Sequence, residues 1–236
     1  MKRLNILPEG YIYPKEERPV RDALRRRLLF VRHRTAHIFS LQNAITSNLN
    51  HKMSGRDIKG LNESDADQLF DELFLILTAR NSISTIQFLG ERIKEIEKAV
   101  KSHVKLRPQF KYLLTMPGIG DIFGLTIMLE VGDINRFPPV SDYFPYCRCV
   151  KSESFSDKKK KGEGNRKNRI EYFAWTYVEA ANFAKRHYQE ARSFYQRKKA
   201  KTIGVLAIKA LSNKLARASS YVIRDQVPYD MNQLFR

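Results

Sequence analysis

Apolar residues recur at alternating steps of four and three in two long stretches of the chain, the pattern of helices that each bury one seam. Thr35 and Gln42 are polar residues within the first seam. Its members are Leu24, Leu28, Val31, Thr35, Ile38, Gln42, Ile45 and Leu49, and those of the second are Ile86, Leu89, Ile93, Ile96 and Val100. The two seams predict either an antiparallel helical hairpin or half of an intermolecular coiled coil, and we expect a homo-oligomer through these heptad helices.

Proline, glycine and polar stretches set the predicted boundaries in the first half of the chain. Three prolines predict an extended arm over residues 1–20, and Pro108 ends the helical linker that we place at residues 21–107. Within the linker, the polar stretch His51–Asn62 is predicted as a loop and Glu63–Thr78 as a short helix.

The second half, residues 108–236, predicts a compact helical domain. Its predicted helices are Lys111–Thr115, Asp121–Val131, Ile170–His187 and Ile203–Arg224, and Ser152–Asn168 is a polar, lysine-rich loop. No segment has a clear strand pattern. The predicted fold class is therefore mainly α, with a long heptad-patterned hairpin followed by a domain that contains a helix-hairpin-helix element.

The turn Met116-Pro117-Gly118-Ile119-Gly120 joins the first two of these short helices. Glycines allow close approach of a phosphate, and the N-terminus of the next helix presents free N–H groups and the positive end of its dipole. We therefore predict DNA phosphate contacts at Gly118 and Gly120. A plain helix–helix connection is the alternative, because Pro and Gly occur in many turns.

Positive charge narrows the class of partner. The chain has 43 Lys and Arg against 25 Asp and Glu, a net charge of +18, which predicts affinity for a polyanion such as DNA. A helical scaffold whose charge is incidental is the alternative. No run of about 18 apolar residues exists, and Met1–Tyr13 lacks the apolar core of a signal peptide, so we expect a cytoplasmic protein without a membrane partner.

The lysine-rich loop contains candidate chemistry. Three serines, Ser152, Ser154 and Ser156, precede a cationic stretch with two glycines. A serine in such a setting suits attack on a phosphodiester, because cations stabilise the charge that develops on phosphorus. A solvated surface loop is the alternative. The residues predicted to contact DNA here are Lys158, Lys159, Lys160, Lys161, Asn165, Arg166 and Lys167.

Neither the cysteines nor the acidic residues predict a metal site. Cys147 and Cys149 have no further ligands nearby, so we expect two reduced, partly buried thiols. The acidic residues of the linker are interpreted as helix caps and surface carboxylates, namely Asp22, Asp57, Asp65, Asp67 and Asp71.

Several strings in family-like order give the second half a specific resemblance. They are M-P-G-I-G, E-V-G-D-I-N-R-F, Y-C-R-C, K-K-K-K-G-E-G-N-R-K-N, Y-F-A-W-T-Y-V-E-A-A-N-F-A, F-Y-Q-R-K and A-I-K-A-L-S-N-K-L-A-R-A. From about Leu113 to Tyr229 the chain resembles the C-terminal domain of transposases of the IS116/IS110/IS902 group. The helices before it resemble the linker of that family.

The resemblance implies DNA transposition through a phosphoserine intermediate. Ser156 occupies the place of the nucleophile, although Asp157 and Lys158 stand where the family has a glycine, and Ser154 and then Ser152 are the runners-up. The family's Mg²⁺ is held by a preceding RNase H-like domain with four acidic residues, so none is expected in this chain. A noncoding bridge RNA is a further partner that the resemblance implies.

The chain begins near the point where that acidic domain would end, so we expect an N-terminally truncated transposase that does not cleave DNA with Mg²⁺ alone. The competing hypothesis is a helix-hairpin-helix protein that binds DNA without any chemistry.

Overall fold

A computed structural model describes residues 11–104, 108–137, 139–147, 153–156, 159–163 and 171–230, and the predicted fold class, mainly α, is confirmed. The helices are α1 (Arg18–Leu49), α2 (Gly55–Gly60), α3 (Ala66–Leu69), α4 (Leu73–Val104), α5 (Pro108–Leu113), α6 (Asp121–Val131), α7 (Val140–Tyr146), α8 (Glu171–His187), α9 (Gln189–Lys199) and α10 (Gly204–Asp225), and the strands are β1 (Glu153–Ser156) and β2 (Lys159–Glu163). Short 3₁₀ turns lie at Glu63–Asp65 and Ile134–Arg136.

The contacts divide the chain into two compact units. One comprises Asp22–His103, and the other combines the residues up to Arg21 with those from Val104 onward. The arm, linker and domain boundaries that the sequence suggests remain predictions.

Within the first unit, α1 and α4 form an antiparallel hairpin. Arg27 near the start of α1 pairs with Glu97 near the end of α4, whereas Ile45 and Ile83 belong to one buried cluster toward the opposite end. The hairpin interpretation of the two seams is therefore confirmed. The cluster consists of Ile38, Leu41, Ile45, Ile58, Ala66, Phe70, Ala79, Ile83 and Ile86.

The polar members of the seam bond locally, and one end of the seam is exposed. The hydroxyl of Thr35 donates to the carbonyl of Val31 in the preceding turn, and the Gln42 amide donates to the carbonyl of Met53. Leu49 lies on the surface at the end of α1. The first seam is therefore buried only at those members that face α4 or the segment that follows α1.

Two predictions for the connection between α1 and α4 are wrong. The predicted loop His51–Asn62 contains α2, because Ser54 and Asp57 form a capping box at its start and Ile58 is fully buried. The predicted helix Glu63–Thr78 is interrupted at Phe70, whose backbone is extended and whose ring is buried in the core cluster. A new helix, α4, then begins at Leu73.

The second unit packs its helices around α8 and α10. Helix α6 has the predicted bounds, and α8 and α10 each lie within one residue of the predicted ends. The helix predicted at Lys111–Thr115 instead spans Pro108–Leu113, as α5. Pro108 does not only end the preceding helix, because proline is also favoured in the first turn of a new one. Helices α7 and α9 were not expected from the sequence.

The prediction of a loop without strands at Ser152–Asn168 is wrong. Strands β1 and β2 pair antiparallel, with Ser156 opposite Lys159 and Glu153 opposite Glu163. A polar hairpin has no alternation of apolar and polar residues, so its periodicity gave no strand signal.

Candidate active site

The turn between α5 and α6 has the geometry that its proline and glycine favour. The amide of Ile119 donates to the carbonyl of Met116 at 3.2 Å, and Gly118 has a φ of 80°. Proline in the second position and a left-handed glycine in the third are typical of a type II turn. Gly120 follows as the N-cap of α6.

The two glycines of this turn have different surroundings. Gly118 is buried against α8, where a β-carbon would overlap the carbonyl oxygen of Ala180 and lie 3.1 Å from the amide nitrogen of Ala184. Gly120 is exposed, and a β-carbon there would meet open space. Gly118 therefore serves the packing of the turn on α8, whereas Gly120 is the one on the surface. Phosphate contact at either residue remains a prediction.

The string E-V-G-D-I-N-R-F forms a structural junction at the end of α6. Gly132 has a φ of 63°, and the amide of Asp133 donates to the Tyr11 hydroxyl at 3.3 Å. The Arg136 guanidinium lies 4.2 Å from the ring centre of Tyr11 and 4.3 Å from that of Tyr146. Such stacking of a cation on aromatic rings stabilises a partly desolvated arginine. This junction thus ties the N-terminal arm to α7.

Aromatic contacts join the two ends of the serine-bearing segment. Tyr146, the last residue of α7, contacts Phe173 near the start of α8, with ring centres 5.6 Å apart. Tyr143 also contacts Phe173 edge to face at 6.3 Å. The chain between α7 and α8 therefore leaves and returns at one place, and β1 and β2 lie within this closed stretch.

A buried hydroxyl cluster fixes the same helices. The hydroxyls of Tyr143 and Tyr177 are 2.8 Å apart, and that of Tyr177 lies 2.5 Å from the Ser219 hydroxyl. Ser219 in turn donates to the carbonyl of Ala216 at 2.8 Å. Burial raises the pKa of Tyr143 well above its ordinary value, with smaller contributions from Cys147 and Tyr177. The cluster connects α7, α8 and α10, and nothing in the sequence pattern predicted it.

Two of the predicted serines lie on β1. Ser156 is opposite Lys159, and Ser154 is opposite Gly162, with an irregularity in the register after Ser154. Lys160 and Lys161 also belong to β2. The other predicted residues of this segment, Ser152, Lys158, Asn165, Arg166 and Lys167, lie outside the described residues.

Cys147 forms no disulfide bond with a described residue, and its side chain is fully buried, whereas the sequence predicts a partly buried thiol. Cys149 lies outside the described residues.

Residues 110–196 match the profile of the transposase IS116/IS110/IS902 family. The match begins in α5 and ends in α9. It therefore includes the glycine turn, the contact between Tyr146 and Phe173 at the two ends of the serine segment, and both β1 and β2. The matched stretch, which is less than half of the chain, is therefore similar to the transposase domain of this family. No curated protein sequence matches the chain significantly.

Proteins of this family are transposases, so the matched stretch is similar to domains that act in DNA transposition. Helix α10 follows the matched residues and packs against α8 inside the same unit. The hydroxyl cluster therefore joins Tyr143 and Tyr177 of the matched stretch to Ser219 of α10, which lies outside it.

Acidic side chains of the described residues are the candidate ligands for a metal ion. Over the described ranges, no group of three or more His, Cys, Asp or Glu side chains could hold a metal ion. In the linker, Asp57 and Asp65 close capping boxes and Asp67 pairs with Arg80 at 2.7 Å, which confirms their interpretation as caps and surface carboxylates. These residues do not fit a Mg²⁺ site.

None of the described helices is long and apolar enough to cross a membrane.

Proposed function

We propose that this chain is the serine-bearing strand-exchange domain of a DNA transposase and that Ser156 is its nucleophile. The family match across both ends of the serine segment supports the proposal. The contact between Tyr146 and Phe173 supports it further. It holds the two ends of the serine segment together, and this restricts where β1, which contains Ser156, can lie.

The proposed reaction is a transesterification. The Ser156 oxygen attacks a scissile phosphorus, so one serine–phosphate ester bond forms while the bond to the leaving sugar oxygen breaks. The serine proton is lost to a base or to water, and the leaving oxygen takes up a proton. Rejoining reverses these bond changes with a different sugar hydroxyl, which conserves the number of phosphodiesters.

The lysines of β2 would stabilise the charge on phosphorus. Because Ser156 and Lys159 are paired residues of an antiparallel ladder, their Cα atoms are expected within about 5.5 Å of one another. A lysine at this backbone spacing is the proposed source of positive charge for a phosphate held at Ser156. Ser154, opposite Gly162, is the second candidate nucleophile.

We further propose that DNA phosphates contact Gly120 at the start of α6 and the basic residues Lys158 to Lys161, Asn165, Arg166 and Lys167. The exposed N-cap of α6 supports the first contact, since a helix N-terminus binds anions. These contacts would hold the duplex without reading its sequence.

Mg²⁺ chemistry, in this proposal, comes from an acidic RNase H-like domain that acts with this chain, and a bridge RNA is the proposed guide. This chain with Mg²⁺ alone is expected not to cleave DNA. A homo-oligomer is proposed through the exposed Leu73, Phe74 and Leu77 of α4, because much of the heptad seam is buried inside the hairpin.

The test uses the full chain, end-labelled DNA that carries element ends, and the acidic domain of a related transposase supplied in trans. The expected product is a covalent protein–DNA adduct that survives denaturing electrophoresis. Ser156→Ala should remove the adduct and Ser154→Ala should retain it. An adduct that persists in Ser156→Ala and disappears in Ser154→Ala would reassign the nucleophile.

The second candidate function is a DNA-binding protein without chemistry, which the exposed N-cap of α6 favours. It predicts DNA binding by mobility shift with no adduct under any complementation. An adduct from the chain with Mg²⁺ and no added domain would contradict both this candidate and the proposed dependence on a separate acidic domain.

A further inference from the structure

Positive charge is concentrated in the helices that follow the serine segment. Residues 185–217 contain ten Lys and Arg against a single acidic residue, Glu190, so this stretch supplies +9 of the net charge of +18. None of these residues belongs to the predicted serine site. These positive charges lie on α8, α9 and α10 and on the connection between α9 and α10, and they exceed what an even distribution of surface charge would give.

Two of these cations lie close to the ring of Phe194, which is buried. Lys214 of α10 places its ammonium 4.9 Å from the ring centre of Phe194, and Lys198 of α9 lies 5.8 Å from it. Burial lowers the pKa of Lys214, and the charges of Arg197, Arg217 and Lys198 lower it further. The fold therefore holds like charges close enough to repel each other, at a free-energy cost that an anion would offset.

The exposed face of α10 extends this group into a line. Lys214, Arg217, Tyr221 and Arg224 follow at steps of three, four and three, so they share one face of the helix. The line is about 15 Å long at a rise of 1.5 Å per residue. At its end, Arg224 pairs with Asp225 at 2.7 Å and lies over the Tyr221 ring.

We propose that α9 and α10 form a second DNA-binding surface, in which Arg197, Lys198, Lys214 and Arg217 bind the phosphate backbone of duplex DNA. The proposal rests on the proposed function, because duplex DNA is the substrate of the transposase domain. A line of cations on a rigid helix suits the regular spacing of phosphates along a duplex, and such contacts give affinity without sequence preference. Arg197 and the residues after it follow the matched stretch 110–196.

The first experiment measures binding of the full chain to a duplex of about 30 base pairs over a range of salt concentrations. Lys214→Gln with Arg217→Gln should weaken binding about tenfold and reduce the salt slope by about 2, one unit for each lost phosphate contact. The matched control, Lys94→Gln with Lys98→Gln, removes two exposed charges from α4 and should leave affinity and slope near those of the unmodified chain.

A second measurement uses the unmodified chain and does not depend on the folding of a variant. Lysine acylation followed by mass spectrometry should show that duplex DNA protects Lys198 and Lys214 severalfold, while Lys94 stays reactive. Equal reactivity of Lys198 and Lys214 with and without DNA would overturn the proposal.

The outcomes separate this proposal from the function on which it rests. If the unmodified chain does not bind duplex DNA, the proposed function fails together with this surface. If it binds, but the α10 variant matches the α4 control, only this surface is refuted. Protection by a structured RNA or an acidic peptide at equal charge, without protection by the DNA duplex, also overturns the assignment to DNA.

Discussion

Gly118 contacts the backbone of α8 so closely that its missing β-carbon would overlap the carbonyl oxygen of Ala180. The φ of 80° at Gly118 is itself unfavourable for other residues. The close contact places the glycine turn against α8, the helix that follows the serine segment, and the left-handed φ favours glycine at this position. The turn is therefore a packing element of its compact unit, whatever it contributes to DNA binding.

Substitution of the two turn glycines should have unequal effects. Gly118→Ala should lower the free energy of unfolding by at least about 3 kcal/mol, because it combines a strained left-handed residue with a clash against backbone. Gly120→Ala should cost less than about 1 kcal/mol, since its φ is −94° and open space surrounds it. Urea unfolding followed by circular dichroism measures both, and equal losses would contradict the packing role.

The buried hydroxyl cluster gives a second prediction. Tyr177→Phe removes the central hydroxyl and leaves that of Tyr143 with only the weaker 3.5 Å contact to Ser219. We expect a loss of about 1–3 kcal/mol, the cost of an unsatisfied buried polar group. The control is Tyr221→Phe, which removes an exposed hydroxyl and should change stability by less than about 0.5 kcal/mol. An unchanged free energy of unfolding in Tyr177→Phe would show that the cluster contributes no stability.

The periodicity of the sequence sufficed for the long helices and failed where other interactions decide the structure. Ile45 lies on the heptad seam of α1 and is fully buried, as such a seam implies. Helix α2 has no such seam and owes its start to the capping box of Ser54 and Asp57. The break at Phe70 follows from tertiary burial of one ring, which local pattern does not encode.

The candidate site could be predicted only in part, for similar reasons. The serines and lysines of β1 and β2 stand out in the sequence as a basic stretch with nucleophiles, yet their pairing depends on backbone hydrogen bonds that involve no apolar pattern. The contacts of Tyr146 with Phe173 and of Tyr143 with Tyr177 join residues 27 and 34 positions apart. A single sequence contains no direct signal for such long-range pairs.

Alkaline pH should weaken the fold through the buried tyrosines. The folded pKa of Tyr143 is raised, so its stabilising effect is complete below the unfolded pKa of about 10 and is lost as the pH rises above that value. Burial also raises the pKa of Tyr13 and Tyr229.

The free energy of unfolding should therefore fall as the pH rises above about 10, by up to about 1.4 kcal/mol per pH unit for each such tyrosine. Urea titrations of the unmodified chain and of Tyr143→Phe at several pH values measure this slope. The free energy of unfolding of Tyr143→Phe should depend less steeply on pH. Identical slopes for the two proteins would rule out Tyr143 as a cause of the pH dependence.

The ion pair that joins α1 and α4 should contribute more than an exposed pair on the same helix. The Arg27 Nη2 and Nε atoms lie 2.6 and 2.8 Å from Glu97 Oε1, and the two side chains are only 14% and 25% exposed. Partial burial reduces screening by water, and the loss of one partner leaves the other charge poorly solvated. Glu97→Gln should therefore lower the free energy of unfolding by about 1–2 kcal/mol.

The matched control for that pair is Glu95→Gln. Glu95 bonds Arg92 at 2.8 Å within α4, but its side chain is 65% exposed, so the loss should be below about 0.5 kcal/mol. High salt should reduce the effect of Glu95→Gln more than that of Glu97→Gln, because exposed charges are screened more strongly. Urea unfolding at low salt and at 1 M salt measures both the stability loss of each variant and how far salt reduces it. A Glu97→Gln variant as stable as Glu95→Gln would mean that the hairpin is held by its apolar cluster alone, with Arg27 solvated once its partner is neutral.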